Sequence, residues 1–170
     1  MSKPEVLEIR PARLDDASAI CDIYNQGIED RLATLETRLR SAEEQRGWLE
    51  ARDDRHPVLV AERAAAVLGW GSLNVFNSRA AYDHVADFSI YVARAARGAG
   101  VGRRLLDGLI ETARVIGYHK MVLAAFEWNT AGMRLYEGAG FRRVGVYHEQ
   151  GRLDDRWVNT VVMEKILSEP

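Results

Sequence analysis

The chain has 170 residues, of which 47% are hydrophobic and 28% charged, a balance that predicts one water-soluble globular domain over residues 1–170. Its formal net charge of -2 argues against a nucleic acid as the main partner, and no apolar run is long enough to cross a membrane. The N-terminus does not resemble a signal peptide and the single cysteine cannot form an internal disulfide, so we expect a cytoplasmic protein. The four histidines lack the spacing of metal ligands, and we predict no metal site.

The periodicity of the apolar residues predicts eleven helices and strands in the order β-α-α-β-β-β-α-β-α-β-β. Strands are expected at 6–10, 56–63, 67–74, 85–92, 121–126, 141–149 and 156–166. Helices are expected from an N-cap at 13–16 through 27, from a capping box at 41–44 through 52, directly after Gly102, and at 129–138. This order is typical of an α/β fold, and we predict a mixed, mostly antiparallel sheet flanked by helices.

The centre of the chain combines the predicted strand at 85–92, the segment Arg97-Gly98-Ala99-Gly100-Val101-Gly102 and an amphipathic helix. Glycines let the backbone approach an oxyanion closely, and the N–H groups at the start of a helix bind phosphate. A nucleoside-triphosphate loop is excluded because no Gly-Lys-Ser/Thr follows. A dinucleotide site fits poorly, because the segment lies past mid-chain and the next strand carries no acid at its end. The segment therefore predicts a site for another phosphate-containing ligand.

The pattern Arg97-x-x-Gly100-x-Gly102 after such a strand resembles the coenzyme A loop of the GCN5-related N-acetyltransferases. Asn129 and the run 134–141 resemble the downstream helix, loop and strand of that family. The resemblance implies the family's fold, acetyl-CoA as co-substrate, and a bulge in the central strand that exposes its backbone to the pantetheine arm. The residues that it implies in coenzyme binding are Ile90, Tyr91, Val92, Arg97, Gly98, Ala99, Gly100, Val101, Gly102 and Asn129.

Other segments narrow the resemblance to the phosphinothricin and methionine sulfoximine acetyltransferases. The matching positions are Arg79, Ala81-Tyr82-Asp83 and an acid at 87, together with 33–37, 47–49 and 156–159. Three positions depart from the subfamily. Asp87 stands where a glutamate is usual, Leu35 where an aromatic residue is frequent, and Asn159 where an aspartate is usual. These departures leave the exact acceptor open.

The resemblance assigns the chemistry to Asp87, as the base that deprotonates the amine, and to Tyr136, as the acid for the leaving thiolate. We expect direct attack in a ternary complex, since no cysteine is placed to form an acyl-enzyme. The guanidinium of Arg79 suits the carboxylate or phosphinate group of an acceptor. The residues implied to contact the acceptor are Leu35, Phe76, Arg79, Tyr82 and Phe88.

The sequence thus predicts an enzyme that transfers acetyl from acetyl-CoA to the α-amine of a small amino acid or toxic analogue, and the resemblance implies a homodimer. Two alternatives stay open: an enzyme of the same fold that acetylates a protein N-terminus or an unrelated amine, and a coenzyme A-binding sensor without turnover. Single residues also have simpler interpretations. Tyr136 could instead be a packed helix residue, Asn129 a plain N-cap, and Arg79 a solvated surface side chain.

Overall fold

The computed structural model describes residues 6–167, and its helices and strands follow the predicted order. The strands are β1 (Glu8–Pro11), β2 (Val58–Arg63), β3 (Ala66–Val75), β4 (Val85–Val92), β5 (Lys120–Phe126), β6 (Arg142–Leu153) and β7 (Arg156–Ile166). The helices are α1 (Ala17–Glu29), α2 (Ala42–Glu50), α3 (Val101–Ile116) and α4 (Thr130–Gly138). The largest difference from prediction is β6, which runs four residues beyond 149 because it pairs with β7 down to a tight turn. Within 6–167, no helix is both long and apolar enough to span a bilayer.

The seven strands form one sheet in the order β1-β2-β3-β4-β5-β7-β6. Every neighbouring pair is antiparallel except β4 and β5, which confirms the prediction of a mixed, mostly antiparallel sheet. The parallel pair is short. It runs from Val85 opposite Lys120 to Asp87 opposite Val122, and beyond these residues the two strands pair no further.

The predicted bulge in the central strand is wrong for this chain. The register of β3 and β4 is unbroken from Gly69 opposite Val92 to Val75 opposite Ala86. The backbone of β4 is instead exposed because its other neighbour, β5, separates from it after Asp87. A gap therefore opens in the middle of the sheet, between the C-terminal halves of two parallel strands.

The two faces of the sheet carry separate cores, and β4 contributes to both because its side chains alternate. Phe88, Ile90 and Val92 pack in the cluster that contains the buried leucines of α3. Tyr91 packs on the opposite face, stacked on Trp70 at 4.8 Å in the cluster that includes α1. Asp87 and Ser89 have the same parity as Tyr91, so their side chains belong to the α1 and α2 face.

Candidate active site

The gap between β4 and β5 leaves backbone groups of β4 without a strand partner. The N–H of Ala93 donates to the carbonyl of Leu68, at the end of the pairing with β3. In an antiparallel pair the N–H groups of alternate residues point to the same side. The N–H group of Tyr91 therefore faces β3, and the N–H groups of Ile90 and Val92 face the gap. They lie where a thioester carbonyl entering the gap would find a hydrogen-bond donor.

A cleft of about 340 Å³ leads into this gap from the start of α3. The glycine-rich segment forms one wall, and α4 and the end of α1 supply others. Gly98 and Gly100 have φ angles of +77° and +81°, the left-handed region that favours glycine, and a Cβ at either would meet no atom within 4 Å. Gly100 is also the N-cap of α3, so the first N–H groups of this helix open toward the loop. These features fit a diphosphate.

Three residues that were predicted to contact the coenzyme do not direct a free side chain into the cleft. The guanidinium of Arg97 donates to Asp30 at 2.6 Å and to the carbonyl of Val92 at 3.3 Å, although the residue lines the cleft. Val101 is 1% exposed and its side chain belongs to the core. Ala99 is exposed and is not among the residues that line the cleft. For Val101, only the backbone is available to a ligand.

A second cavity of about 250 Å³ holds Asp87 and continues the cleft through the gap. We call it the acceptor cavity. Five residues line both the cleft and the acceptor cavity and so mark their junction. They are Ala33, Ile90, Tyr91, Asn129 and Tyr136. The structure therefore brings together most of the residues predicted for catalysis and coenzyme binding.

Asn129 is the N-cap of α4, which is one of the two roles that the sequence suggested for it. Its side chain accepts a hydrogen bond from the N–H of Gly132 at 3.0 Å and caps α4. It also lies at the junction of the two cavities. The cap thus fixes the side chain of Asn129 where the two cavities meet.

Asp87 is a carboxyl group in a poorly hydrated place. Burial raises its pKa to about 6, and a backbone hydrogen bond from Phe88 opposes the shift. Among residues 6–167, no cation forms an ion pair with it. A carboxylate with a pKa near 6 is ionised at neutral pH and still basic enough to take a proton from an ammonium group.

Tyr136 faces Asp87 across the junction of the cavities. Burial, and secondarily the negative charge of Asp87, raise its pKa to about 12. Its ring packs edge-on against Phe88 at 5.8 Å, so a core residue holds it in place. The hydroxyl therefore keeps its proton at neutral pH and can donate it.

The loop 30–41 between α1 and α2 covers the acceptor cavity. Leu35 lines the cavity and lies over the β6–β7 hairpin, where a Cβ on Gly151 would come within 2.5 Å of it. The guanidinium of Arg31 donates to both carboxylate oxygens of Asp154 at 3.1 Å. The indole of Trp128 donates to the carbonyl of Arg31 at 2.9 Å. The loop is thus fastened to the hairpin and to the end of β5.

Three of the predicted acceptor contacts lie outside this cavity. Phe76 and Tyr82 pack edge-on at 5.5 Å and line a separate cavity of about 290 Å³. Arg79 is exposed and lines neither the cleft nor the acceptor cavity, and no described side chain pairs with its guanidinium. Phe88 and Leu35, by contrast, do line the acceptor cavity.

Several lining residues were not predicted from the sequence. They are Ser89, 123–126 on β5, and Thr160 on β7. Ser89 could have been found from its parity with Asp87 in β4. The others come from elements that no motif links to the centre of the chain. Among residues 6–167, no cluster of three or more potential metal ligands occurs.

The chain is similar to a family of acetyltransferases in sequence and to several of their solved structures in fold. The model of the acetyltransferase (GNAT) family matches residues 19–141. An L-methionine sulfoximine/L-methionine sulfone acetyltransferase of Salmonella typhimurium is 33% identical over 96% of this chain and 96% of its own length. The structure of a ribosomal-protein-alanine N-acetyltransferase from Brucella melitensis has a TM-score of 0.91 and 38% identity, covering 94% of this chain and 99% of that one. A phosphinothricin acetyltransferase from Sinorhizobium meliloti, solved with acetyl-CoA, has a TM-score of 0.87 and 26% identity, covering 95% and 89%.

Proposed function

Because this chain belongs to the acetyltransferase (GNAT) family and is an acetyl-CoA-dependent enzyme, we propose that its acceptor is the α-amine of a single small amino acid or amino acid analogue. The acceptor cavity carries this proposal. It measures about 250 Å³ and lies beneath a loop that is fastened at Arg31 and Leu35. A space of this size suits a small molecule. Relatives such as the Salmonella typhimurium enzyme carry an acceptor of this kind in their names.

In the proposed mechanism, Asp87 takes a proton from the ammonium group of the acceptor, directly or through a water molecule. The free amine attacks the thioester carbonyl in the gap, and the N–H groups of Ile90 or Val92 stabilise the oxyanion. Tyr136 then donates its proton to the departing thiolate and regains one from the nitrogen of the tetrahedral intermediate, so that the net proton released is the one on Asp87. Since Asp87 and Tyr136 both line the acceptor cavity, a single ternary complex suffices.

The likeness to the Brucella melitensis enzyme favours a second candidate, the N-terminal amine of a protein. A protein N-terminus enters as an extended chain and needs an open groove beyond the amine. Here the way from the cavity passes Leu35 and the hairpin, so a peptide would have to displace the loop 30–41. We therefore rank this candidate second.

An acceptor panel distinguishes the two candidates. Purified enzyme and acetyl-CoA are incubated with free amino acids, methionine sulfoximine, phosphinothricin and alanine-initiated peptides, and release of the coenzyme thiol is followed. We expect kcat/KM to be highest for a single amino acid or analogue. A higher value for the peptides than for every free amino acid would refute the proposal.

We propose that Arg79 binds the anionic group of the acceptor, as in the resembling subfamily. It lines neither central cavity, so it must reach the acceptor by movement of its loop or from a second copy of the chain. Arg79→Ala removes a charged hydrogen bond of about 1.5–3 kcal/mol, and we expect kcat/KM for methionine sulfoximine to fall about 10–150-fold. The descarboxy amine should be nearly unaffected. An equal loss for both acceptors would show that Arg79 only supports its loop.

We propose that the backbone at 98–102 holds the diphosphate of the coenzyme. Gly100→Asp places a side chain and a negative charge beside the phosphates, and acetyl-CoA affinity should fall tenfold or more, about 1.4 kcal/mol, by calorimetry. Gly117→Asp is the matched control, because Gly117 ends the same helix with a φ of +98° and equally open space. If both variants lose affinity equally, strain in α3 explains the result and the assignment fails.

We further propose a cytoplasmic homodimer. Its support on this chain is the edge strand β6, which is exposed over nearly its whole length. Its large apolar side chains Val144, Val146 and Tyr147 are 55%, 40% and 55% exposed. An edge with such side chains is a template for pairing with another strand. Sedimentation equilibrium of the wild type and of Val146→Lys tests this, and a wild-type monomer at micromolar concentration would exclude it.

A further inference from the structure

Thr160 carries a buried hydroxyl group that has no hydrogen-bond partner among the described residues. The residue lies on β7, is 4% exposed, and is paired through its backbone with Phe126 on one side and Tyr147 on the other. A buried hydroxyl without a partner is unfavourable and is rare in folded proteins. Thr160 also lines the acceptor cavity, which gives its hydroxyl a candidate partner.

Asp87 and Thr160 lie toward opposite ends of that cavity. Val122 is opposite Asp87 on β5, and Phe126, which is opposite Thr160, comes four residues later. At about 3.3 Å per residue, this separates them by about 13 Å along the strand. The amine must lie at β4, between Asp87 and the N–H groups of Ile90 and Val92, whereas Thr160 lies on β7, two strands away in the sheet. Thr160 is therefore placed to meet the distal end of the acceptor's side chain.

The part of β5 that lines the cavity beside Thr160 carries only apolar side chains, which are Leu, Ala, Ala and Phe at 123–126. Leu35 lines the same cavity from the loop, and the polar side chains of Thr34, Ser89, Asn129 and Tyr136 line it elsewhere. A hydroxyl beside this apolar strand distinguishes acceptors that can pair with it from acceptors that cannot. An oxygen at the distal end would pair with the hydroxyl, whereas a methylene chain would leave it without a partner.

We propose that Thr160 is a specificity-determining residue whose hydroxyl donates a hydrogen bond to an oxygen at the distal end of the acceptor's side chain. This inference rests on the proposed function and adds the residue by which the cavity selects among its acceptors, through an oxygen at the distal end of the side chain. It assigns Thr160 no part in proton transfer.

The test compares wild type, Thr160→Val and Thr160→Ser on methionine sulfone and on norleucine, which share the α-amine and the α-carboxylate. Valine keeps the shape of threonine without the hydroxyl, and serine keeps the hydroxyl. We expect Thr160→Val to lower kcat/KM for methionine sulfone about 2–12-fold, the equivalent of a neutral hydrogen bond of 0.5–1.5 kcal/mol. Norleucine should be acetylated as well as before or better. Thr160→Ser should keep the preference of the wild type for the sulfone.

An equal change for both acceptors in Thr160→Val would overturn the inference while leaving the proposed function intact, because the hydroxyl would then serve the fold. Thermal unfolding of each variant separates loss of folding from loss of contact, and Thr160→Ala replaces Thr160→Val if valine does not fold. A wild type that acetylates no amino acid or analogue of the acceptor panel would overturn the proposed function and this inference together. The two failures are thus distinguishable.

Discussion

Asp87→Asn is expected to lower turnover by about 10²–10⁴-fold while acetyl-CoA affinity changes little. Asparagine keeps the shape of the side chain but cannot accept the proton of the acceptor's ammonium group. In the wild type, kcat/KM should rise with pH up to an inflection near 6, since Asp87 must be ionised and burial raises its pKa to about 6. This acidic limb should be absent from the residual activity of Asp87→Asn. Steady-state rates between pH 5 and 9 measure both effects.

Two variants are controls for Asp87→Asn, one for the loss of a negative charge and one for the length of the side chain. Asp83→Asn removes an exposed carboxylate from the same segment and should leave turnover unchanged. Asp87→Glu restores the residue that is usual in the resembling subfamily and should keep substantial activity. An Asp87→Asn enzyme with most of its activity at neutral pH would mean that solvent or another group deprotonates the amine.

Asp87→Asn should also stabilise the folded protein at high pH. The pKa of Asp87 is about 6 when folded, against an ordinary value of 3.8, so between these values the folded state binds more protons than the unfolded state. Ionised Asp87 therefore costs stability, and the cost is complete above pH 6. Asp87→Asn should raise the free energy of unfolding by about 1–3 kcal/mol at pH 8, and the gain should vanish below pH 4. Denaturant titrations at the two pH values test this.

Tyr136→Phe is expected to lower turnover by about 10²–10⁴-fold, because the thiolate would leave without a proton donor. Acetyl-CoA affinity, measured by calorimetry, should change less than tenfold, since the ring keeps its contact with Phe88. The raised pKa of Tyr136, about 12, predicts that the wild-type rate shows no fall from its ionisation up to pH 10.

Tyr118→Phe is the matched control for this substitution. Tyr118 also loses a buried hydroxyl, but that hydroxyl donates to the carbonyl of Arg55 and lies outside the cleft and the acceptor cavity. The turnover of Tyr118→Phe should stay within about threefold of wild type, because this hydroxyl takes no part in proton transfer. Equal activities of Tyr136→Phe and wild type would show that the thiolate departs without help from Tyr136.

The sequence by itself determined the order of helices and strands and the glycine-rich turn before α3. Both follow from local chemistry. Apolar periodicity distinguishes helix from strand, and the left-handed φ angles of Gly98 and Gly100 require the residue that stands there. The resemblance added Asp87, Asn129 and Tyr136, because motifs preserve positions within short segments.

Only the tertiary structure decided which side chains share the acceptor cavity. The separation of β4 from β5 after Asp87 is a property of two strands and leaves no local pattern, so a bulge was wrongly expected. Arg79 matched its motif, yet it lines neither central cavity, because a spacing along the chain does not fix the direction of a loop. Thr160 belongs to no motif. Its hydroxyl became a candidate contact because distant strands bury it without a partner, and a missing partner becomes visible only when all neighbours are known.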